Sequence, residues 1–355
     1  MPVQKLEIEP FLALAAQHPV LDVRSPGEYL HAHIPGAHSF PLFTDDERRV
    51  VGTAYKQESR EQAIKIGLDY FGPKMRRMVE EAEALTKGHS SKTVLVHCWR
   101  GGMRSAAIAW LLDLYGFKVC SLTGGYKRYR HWILAQFTRD WPFSVVGGFT
   151  GSGKTELLQQ LAAHQATIDL EALASHKGSA FGNLGMPPQP SQEMFENKLG
   201  MALSAQKSAT RIWLEDESQR IGDVNIPQPL WATIRQAPLF FVNIPFEERL
   251  QQVVNWYGKQ DKEKMLHAIV RIRKRLGPLE TKTAVNFLIE DNITESFRVL
   301  LKYYDKWYSK SLQSRPEPPT PHVFIDCLNV DPIRNAAELL QYVGPQTENP
   351  QHAER

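Results

Sequence analysis

Cysteine is scarce in this chain: three residues among 355, Cys98, Cys120 and Cys327. They are too few and too scattered for a disulfide framework or a paired zinc site, and they fit a reducing cytosol in which a thiol stays usable. Long apolar runs are missing as well. None approaches the ~20 residues of a membrane span, and the opening Met1-Pro2-Val3-Gln4-Lys5 lacks the basic-then-apolar plan of a signal peptide. The expectation is a soluble cytoplasmic protein with no membrane partner. Excess charge is small too: a formal net charge of +3 permits nucleic-acid binding without arguing for it, so the placement of charge matters more than its sum. There is no internal repeat.

What is present is enough for two domains. A hydrophobic content of 42% over 355 residues supports ordinary buried cores without staples. Short β-rich runs at Val20 to Val23, Thr93 to His97 and Lys118 to Leu122 alternate with amphipathic segments, which predicts an α/β domain with a parallel sheet. A second round starts at Phe143-Ser144-Val145-Val146 and continues through strands at Arg211 to Leu214, Leu239 to Ile244 and His322 to Ile325. From Glu247 to Leu312 turn signals are few, which predicts consecutive helices. The boundary falls near Asp140-Trp141-Pro142, giving domains 1–138 and 139–343, and the polar stretch 344–355 reads as a disordered tail.

Two motifs carry chemistry. The first is His97-Cys98-Trp99-Arg100-Gly101-Gly102-Met103-Arg104-Ser105, a strand end, a glycine-containing loop and a helix starting near Arg104. Backbone N–H groups of such a loop, together with a helix N-terminus, bind anions and lower a cysteine pKa. Cys98 is the candidate nucleophile, and Arg104 is the candidate ligand for substrate oxygens from inside the loop. Trp99, Arg100, Gly101, Gly102 and Met103 form the cradle, the two glycines relieving crowding where the backbone curls. The second motif is a P-loop, Gly148-Phe149-Thr150-Gly151-Ser152-Gly153-Lys154-Thr155, between an apolar strand and a helical run. Its residues Gly148, Gly151, Ser152 and Gly153 let backbone wrap phosphate, Lys154 supplies a cation, and Thr155 is a candidate Mg²⁺ ligand. The acids at Trp213-Leu214-Glu215-Asp216-Glu217-Ser218 offer the partner carboxylate, with Asp216 first and Glu215 and Glu217 as substitutes; Asp169 is a further candidate. The ligand need not be ATP, because the motif recognises polyphosphate more than base.

Two basic segments complete the set. Lys127, Arg128, Arg130 and His131 interleave with Tyr126, Tyr129 and Trp132, and Arg271, Arg273, Lys274 and Arg275 form a second cluster. Charge beside aromatic rings suits single-stranded RNA.

The segments Leu21-Asp22-Val23-Arg24-Ser25-Pro26-Gly27-Glu28-Tyr29 and His33-Ile34-Pro35-Gly36-Ala37 resemble the two N-terminal signatures of rhodanese-like domains, over about the first 135 residues. One departure matters. Many rhodanese loops have four residues between cysteine and arginine, whereas Cys98 to Arg104 encloses five, a length shared with dual-specificity phosphatases of the cell-cycle type. Loop length leaves open whether the cradle serves a phosphate or a selenium-bearing group.

Over the whole chain the sequence resembles the bacterial tRNA 2-selenouridine synthases. The match is carried by Glu47 to Gln57, Cys98 to Ser105, Asp169 to Ala174 continuing to Gly178-Ser179-Ala180-Phe181-Gly182, and Trp213 to Ser218. That resemblance implies modification of the wobble uridine in the anticodon region of tRNAs carrying 2-thiouridine. Its sulfur is geranylated from geranyl diphosphate, and selenium from selenophosphate then replaces it. It further implies a Cys98 perselenide, selenophosphate bound by Arg104 and the loop amides, and geranyl diphosphate on the P-loop; the P-loop motif itself puts the candidate Mg²⁺ contacts at Thr155 and, through water, Asp216. Met186-Pro187-Pro188 and the helices after Leu250 are candidates for a prenyl-chain pocket. The alternatives are an ATP-dependent tRNA sulfurtransferase and a cysteine phosphatase fused to a nucleotide-binding module.

Overall fold

The structure, a computed structural model, describes residues 3–88, 91–316 and 322–343. The expected tail 344–355 lies outside the described residues. The chain forms two compact units, one of residues 1–136 with 193–201, the other of residues 137–192 with 202–355.

The first unit holds a five-stranded sheet of β1 (Gln4–Leu6), β2 (Val20–Asp22), β3 (His38–Ser39), β4 (Thr93–His97) and β5 (Lys118–Leu122), in the order β1-β5-β4-β2-β3. Every pairing is parallel. β4 is the central strand, and each of its five residues is buried, the polar Thr93 and His97 included, as a strand covered on both faces requires. Leu21, Val94, Val96, Ile108, Leu112 and Val119 form its packed core. The Cys98 loop therefore leaves the carboxyl end of the middle strand, where open α/β sheets hold their ligands. Sequence reading missed β1 and β3, which at three and two residues are too short to show a period.

Residues 193–201, within the helix Gln192–Ala205, return to this first unit. Tyr126 donates its hydroxyl hydrogen to Glu193 at 2.8 Å, and Asn197 donates to the backbone carbonyl of His33 at 2.9 Å. Arg130 pairs with Glu196 and reaches Asn197 at 2.5 Å. A linear division of the chain at residue 138 does not contain this return.

The second unit is built on β6 (Phe143–Gly147), β7 (Ala166–Ile168), β8 (Ile212–Glu215), β11 (Leu239–Asn243) and β12 (Val323–Asp326), in the order β12-β11-β6-β8-β7. Again every pairing is parallel. A small antiparallel ribbon of β9 (Arg220–Ile221) and β10 (Val224–Asn225) stands apart from that sheet. The P-loop strand β6 is central, flanked by β8, whose end carries the acidic run. The expected consecutive helices are Phe246–Tyr257, Lys262–Arg271, Arg273–Leu276, Pro278–Ile289 and Ile293–Gln313. They bury a second apolar cluster that includes Val253, Met265, Phe297, Leu300 and Leu301. Among the described residues no helix is long and apolar enough to cross a membrane.

Candidate functional site

In the first unit the loop after β4 curls so that its amides face the sulfur. Its outward carbonyls are held by the helix Gly125–Gln136: Tyr126 N–H donates to Cys98 O at 2.8 Å and Lys127 N–H to Trp99 O at 2.9 Å. That approach needs glycine. Gly125 has φ +59°, and a side chain there would lie 2.4 Å from Cys98 O and 2.6 Å from Gly101 N.

Cys98 is 3% exposed, with Gly102 N–H donating to Sγ at 3.3 Å and the Ser105 hydroxyl also 3.3 Å away. Burial pushes the thiol up. The Ser105 hydroxyl and the amides of Ser105, Arg100 and Gly102 outweigh that and hold it below its ordinary value. Ser105, buried at the first turn of the helix Met103–Leu114, also donates to Gly102 O at 3.0 Å. Sequence reading gave it no role, although it directly follows Arg104.

The Arg104 guanidinium makes a two-pronged contact with Glu28, Nη1 to Oε2 at 2.7 Å and Nη2 to Oε1 at 3.4 Å. Forked carboxylate pairing is the strongest local partner on offer. Burial raises the Glu28 pKa, but Arg104, the Ser25 amide and Arg48 together bring it below the usual carboxylate range. Behind the loop, Arg24 binds Asp22 through Nη2 to Oδ2 at 2.6 Å and lies over the Tyr126 ring at 3.7 Å. Trp99 and Met103 stand exposed at the loop mouth, and Arg100, Gly101 and Gly102 are exposed with them.

The P-loop of the second unit has the form expected of it. Gly151, at φ +87°, leaves no room for a side chain, which would meet Arg249 O at 2.7 Å. Gly153 caps the helix Lys154–Ala162 in a left-handed conformation. Lys154 Nζ donates to Gly148 O at 3.0 Å, and Ser152 is buried within the loop.

The acids are distributed differently from the sequence reading. Asp216 is occupied by Arg315 at 2.6 Å and by the Tyr308 hydroxyl at 2.6 Å, and Arg315 is fully buried. A carboxylate committed to a buried guanidinium has little to offer a cation. Asp169 caps the helix Leu170–Ala174, accepting from Ala172 N–H at 2.7 Å. The carboxylate beside Thr155 is instead Glu171, whose Oε2 accepts from Thr155 Oγ1 at 3.2 Å.

Glu171 also hydrogen-bonds Glu217, and Glu215 Oε1 accepts from Glu171 N–H at 2.9 Å. Burial and mutual repulsion push Glu215 and Glu217 well above the usual carboxylate range. Burial also raises Glu171, with Lys154, Glu217 and Thr155 opposing it. Glu171 falls within the quoted sequence motif, which assigned it no role; its nearness to Thr155 is set by β7 lying next to β8, which spacing along the chain does not reveal.

A cavity of about 530 Å³ opens in front of the P-loop. Its wall combines Gly151 to Thr155, Glu171 and Glu217 with Val253, Trp256, Tyr257, Phe297, Leu300 and Leu301. Met186 and residues of the helices after Leu250 thus line it. Pro187 and Pro188 line a second cavity, of about 1210 Å³, with Arg271, Lys274, Arg275 and Tyr303. Gly178, Ser179, Met186, Ser218 and Tyr304 border both.

The basic segments divide. Lys127 and Arg128 are exposed, whereas Arg130 is 13% exposed and spent on Glu196 and Asn197, so it serves the fold of the first unit. Tyr126 and Tyr129 are fully buried. Arg271, Arg273, Lys274 and Arg275 are all at least partly exposed, and Arg273 alone of the four is not in the second cavity's wall.

Comparison with known proteins agrees with both halves. The model of the rhodanese-like domain matches residues 9–131, and that of the tRNA 2-selenouridine synthase AAA domain matches residues 141–322. A tRNA 2-selenouridine synthase of Nitrosomonas europaea is 32% identical over 291 residues, covering 79% of this chain and 74% of the relative. That of Serratia proteamaculans is 35% identical over 280 residues, covering 73% and 74%. That of Chromohalobacter salexigens is 34% identical over 340 residues, covering 87% and 92%. With a rhodanese-like unit, a P-loop unit and relatives matched along both, the chain belongs to the tRNA 2-selenouridine synthase family.

Proposed function

We propose that the protein replaces the sulfur of a 2-thiouridine at the wobble position of tRNA with selenium, in two steps served by its two loops. In the first, geranyl diphosphate lies in the P-loop cavity. The base sulfur attacks the allylic carbon, the S–C bond forms as C–O breaks, diphosphate leaves, and the ring N3 proton is released. Lys154 and the loop amides take up charge on the departing diphosphate. The thiocarbonyl sulfur, a poor leaving group, becomes a thioether that can be expelled.

The observation that carries this reading is the joining of a phosphate loop and an apolar wall in one cavity. Val253, Phe297, Leu300 and Leu301 provide the lining a prenyl chain needs. Among the described residues no three His, Cys, Asp or Glu side chains are grouped to hold a metal. The Thr155 hydroxyl and Glu171 fit Mg²⁺ only as part of its shell, with diphosphate oxygens and water supplying the rest. Bound there, Mg²⁺ would neutralise charge on the leaving group.

In the second step selenophosphate reaches the Cys98 loop. Two encounters are open to the thiolate: attack at selenium, which leaves the perselenide that the resemblance implies, or attack at phosphorus, which frees selenide. The tRNA anticodon region meets the second unit along the larger cavity. Among the described residues no acid pairs with Arg271, Lys274 or Arg275, and Tyr303 adds a ring for stacking.

The test is an anticodon hairpin bearing 2-thiouridine, incubated with the protein and geranyl diphosphate and digested for nucleoside mass spectrometry. S-geranyl-2-thiouridine is the expected product. No S-geranylation of that hairpin, together with ATP-dependent thiolation of the same hairpin bearing plain uridine, would overturn the reading in favour of a sulfurtransferase. On the same hairpin, replacing Arg271, Lys274 and Arg275 by alanine should weaken binding and flatten its salt dependence, the slope falling by about 0.7 for each phosphate that is no longer neutralised. An unchanged slope removes this surface from the interface.

A further inference from the structure

We propose that Lys177 is a second cation for the donor's diphosphate, a catalytic residue that stands outside the P-loop and takes up charge on the leaving group together with Lys154. This rests on the reading that geranyl diphosphate occupies the P-loop cavity.

The need comes from the charge that the reaction moves. A prenyl diphosphate is already a polyanion, and as the S–C bond forms and the C–O bond breaks, the bonding pair settles on the departing oxygen. The P-loop motif supplies one side-chain cation for it. Asp169, Glu171 and Glu217 stand in the same wall, and carboxyls offer an arriving polyanion no attraction. Among the described residues the cationic side chains of that wall are two, Lys154 and Lys177.

Lys177 is placed by its backbone. The helix Leu170–Ala174, which carries Glu171, ends at Ser175 in a left-handed conformation, φ +52°, and the chain then folds back on itself. Lys177 N–H donates to Gly182 O at 2.9 Å, Gly182 N–H donates to Ser179 O at 2.9 Å, and Ala180 N–H donates to the Tyr304 hydroxyl at 3.2 Å. The turn lies directly on the acids. Gly178 has φ +51°, and a side chain there would come within 2.6 Å of Glu217 Oε2 and 2.8 Å of Glu171 Oε1. Lys177 is thus joined to a residue pressed against the carboxyl beside Thr155.

Its ammonium is nevertheless unspent. Glu171 and Glu217 hydrogen-bond each other, and among the described residues no carboxylate lies within ion-pair distance of Lys177. Nζ lies 5.7 Å from the centre of the Trp256 ring, near the outer limit of a cation–π contact. Trp256 also lines the P-loop cavity, so the ammonium rests at the wall of the donor's site. An exposed lysine held this loosely can exchange the ring for a phosphate oxygen at little cost.

Inorganic pyrophosphate titrated calorimetrically into the full chain with Mg²⁺ reads this contact without RNA or prenyl chain. Lys177→Met should weaken its binding roughly tenfold, the worth of one charge-assisted hydrogen bond, whereas Lys177→Arg keeps the charge and should bind nearly as wild type does. In transfer from geranyl diphosphate, Lys177→Met should lower kcat by roughly 10²-fold. Its affinity for the anticodon hairpin should not change, because Lys177 is not in the wall of the second cavity. Lys177→Gln removes the same charge should Lys177→Met not fold. Wild-type pyrophosphate affinity in Lys177→Met overturns the proposal, as does an equal loss in Lys177→Arg, which would make shape rather than charge the cause. Pyrophosphate binding that depends on Lys177, in a protein that forms no geranylated product, sinks the geranylation reading and leaves Lys177 as an anion ligand.

Discussion

The two loops are the same backbone device put to opposite use. Each leaves the carboxyl end of a central parallel strand, β4 in one unit and β6 in the other, and each ends in a helix N-terminus. In the first, the amides converge on a side chain of the loop itself, the Cys98 sulfur, and the guanidinium that follows is balanced by Glu28. In the second, the cradle has no nucleophile at its centre; a lysine sits at its end, facing a group of carboxyls crowded until Glu215 and Glu217 resist ionising. One loop holds charge on its own atom and can form a bond. The other can only receive charge from a ligand, and so suits the stabilisation of a leaving group.

This contrast is most easily broken at Lys154. Lys154→Ala should cut geranyl transfer by roughly 10²- to 10³-fold, the usual cost of removing one charge-stabilising donor, while selenation of a hairpin that is already S-geranylated continues. Parallel loss of both activities in the variant would mean that the loops do not work separately.

The next effect lies in stability, at the acid that sequence reading ranked first, set against one to which it gave no role. Arg315→Leu leaves Asp216 buried without its counter-ion and should cost about 3 kcal/mol, read by denaturant unfolding. Glu171→Gln should leave stability close to wild type but raise the Mg²⁺ concentration needed for half-maximal geranylation. Reversal of the two outcomes would return Asp216 to the metal.

The smallest effect sharpens the first loop. Alkylation of Cys98 by iodoacetamide should rise with pH and level off at lower pH than for a free thiol, because the Ser105 hydroxyl and the loop amides favour the thiolate. Ser105→Ala should move that midpoint upward. An unmoved midpoint would leave the amides as the whole cause.

Much of the architecture is legible from sequence, because both motifs are contiguous. A strand, a turn and a helix start determine where Cys98 and Lys154 stand, and the alternation of apolar runs is enough to predict two parallel sheets. What stays hidden is whatever depends on non-neighbouring strands and helices. Glu171 meets Thr155 through the β7-β8 pairing, Arg315 reaches Asp216 from 99 residues away, and Glu28 reaches Arg104 across 76. Arg130 misleads for the same reason. A basic residue in a basic, aromatic helix reads as an RNA ligand until Glu196 and Asn197 arrive from a distant segment to claim it.

That distant segment has a consequence for how the protein is made. The first unit takes residues 193–201 as part of itself, and they bind Tyr126, Arg130 and the His33 carbonyl. On the ribosome, residues 137–192 must be synthesised before those partners exist, a wait on the order of 3 to 10 s at ~5–20 residues per second. During that interval the nascent rhodanese-like sheet can form, but the helix that props up the Cys98 loop stands half-partnered. Completion of the support behind the Cys98 loop is thus timed by synthesis of residues 137–201, and a chain that stops before them leaves that support unfinished.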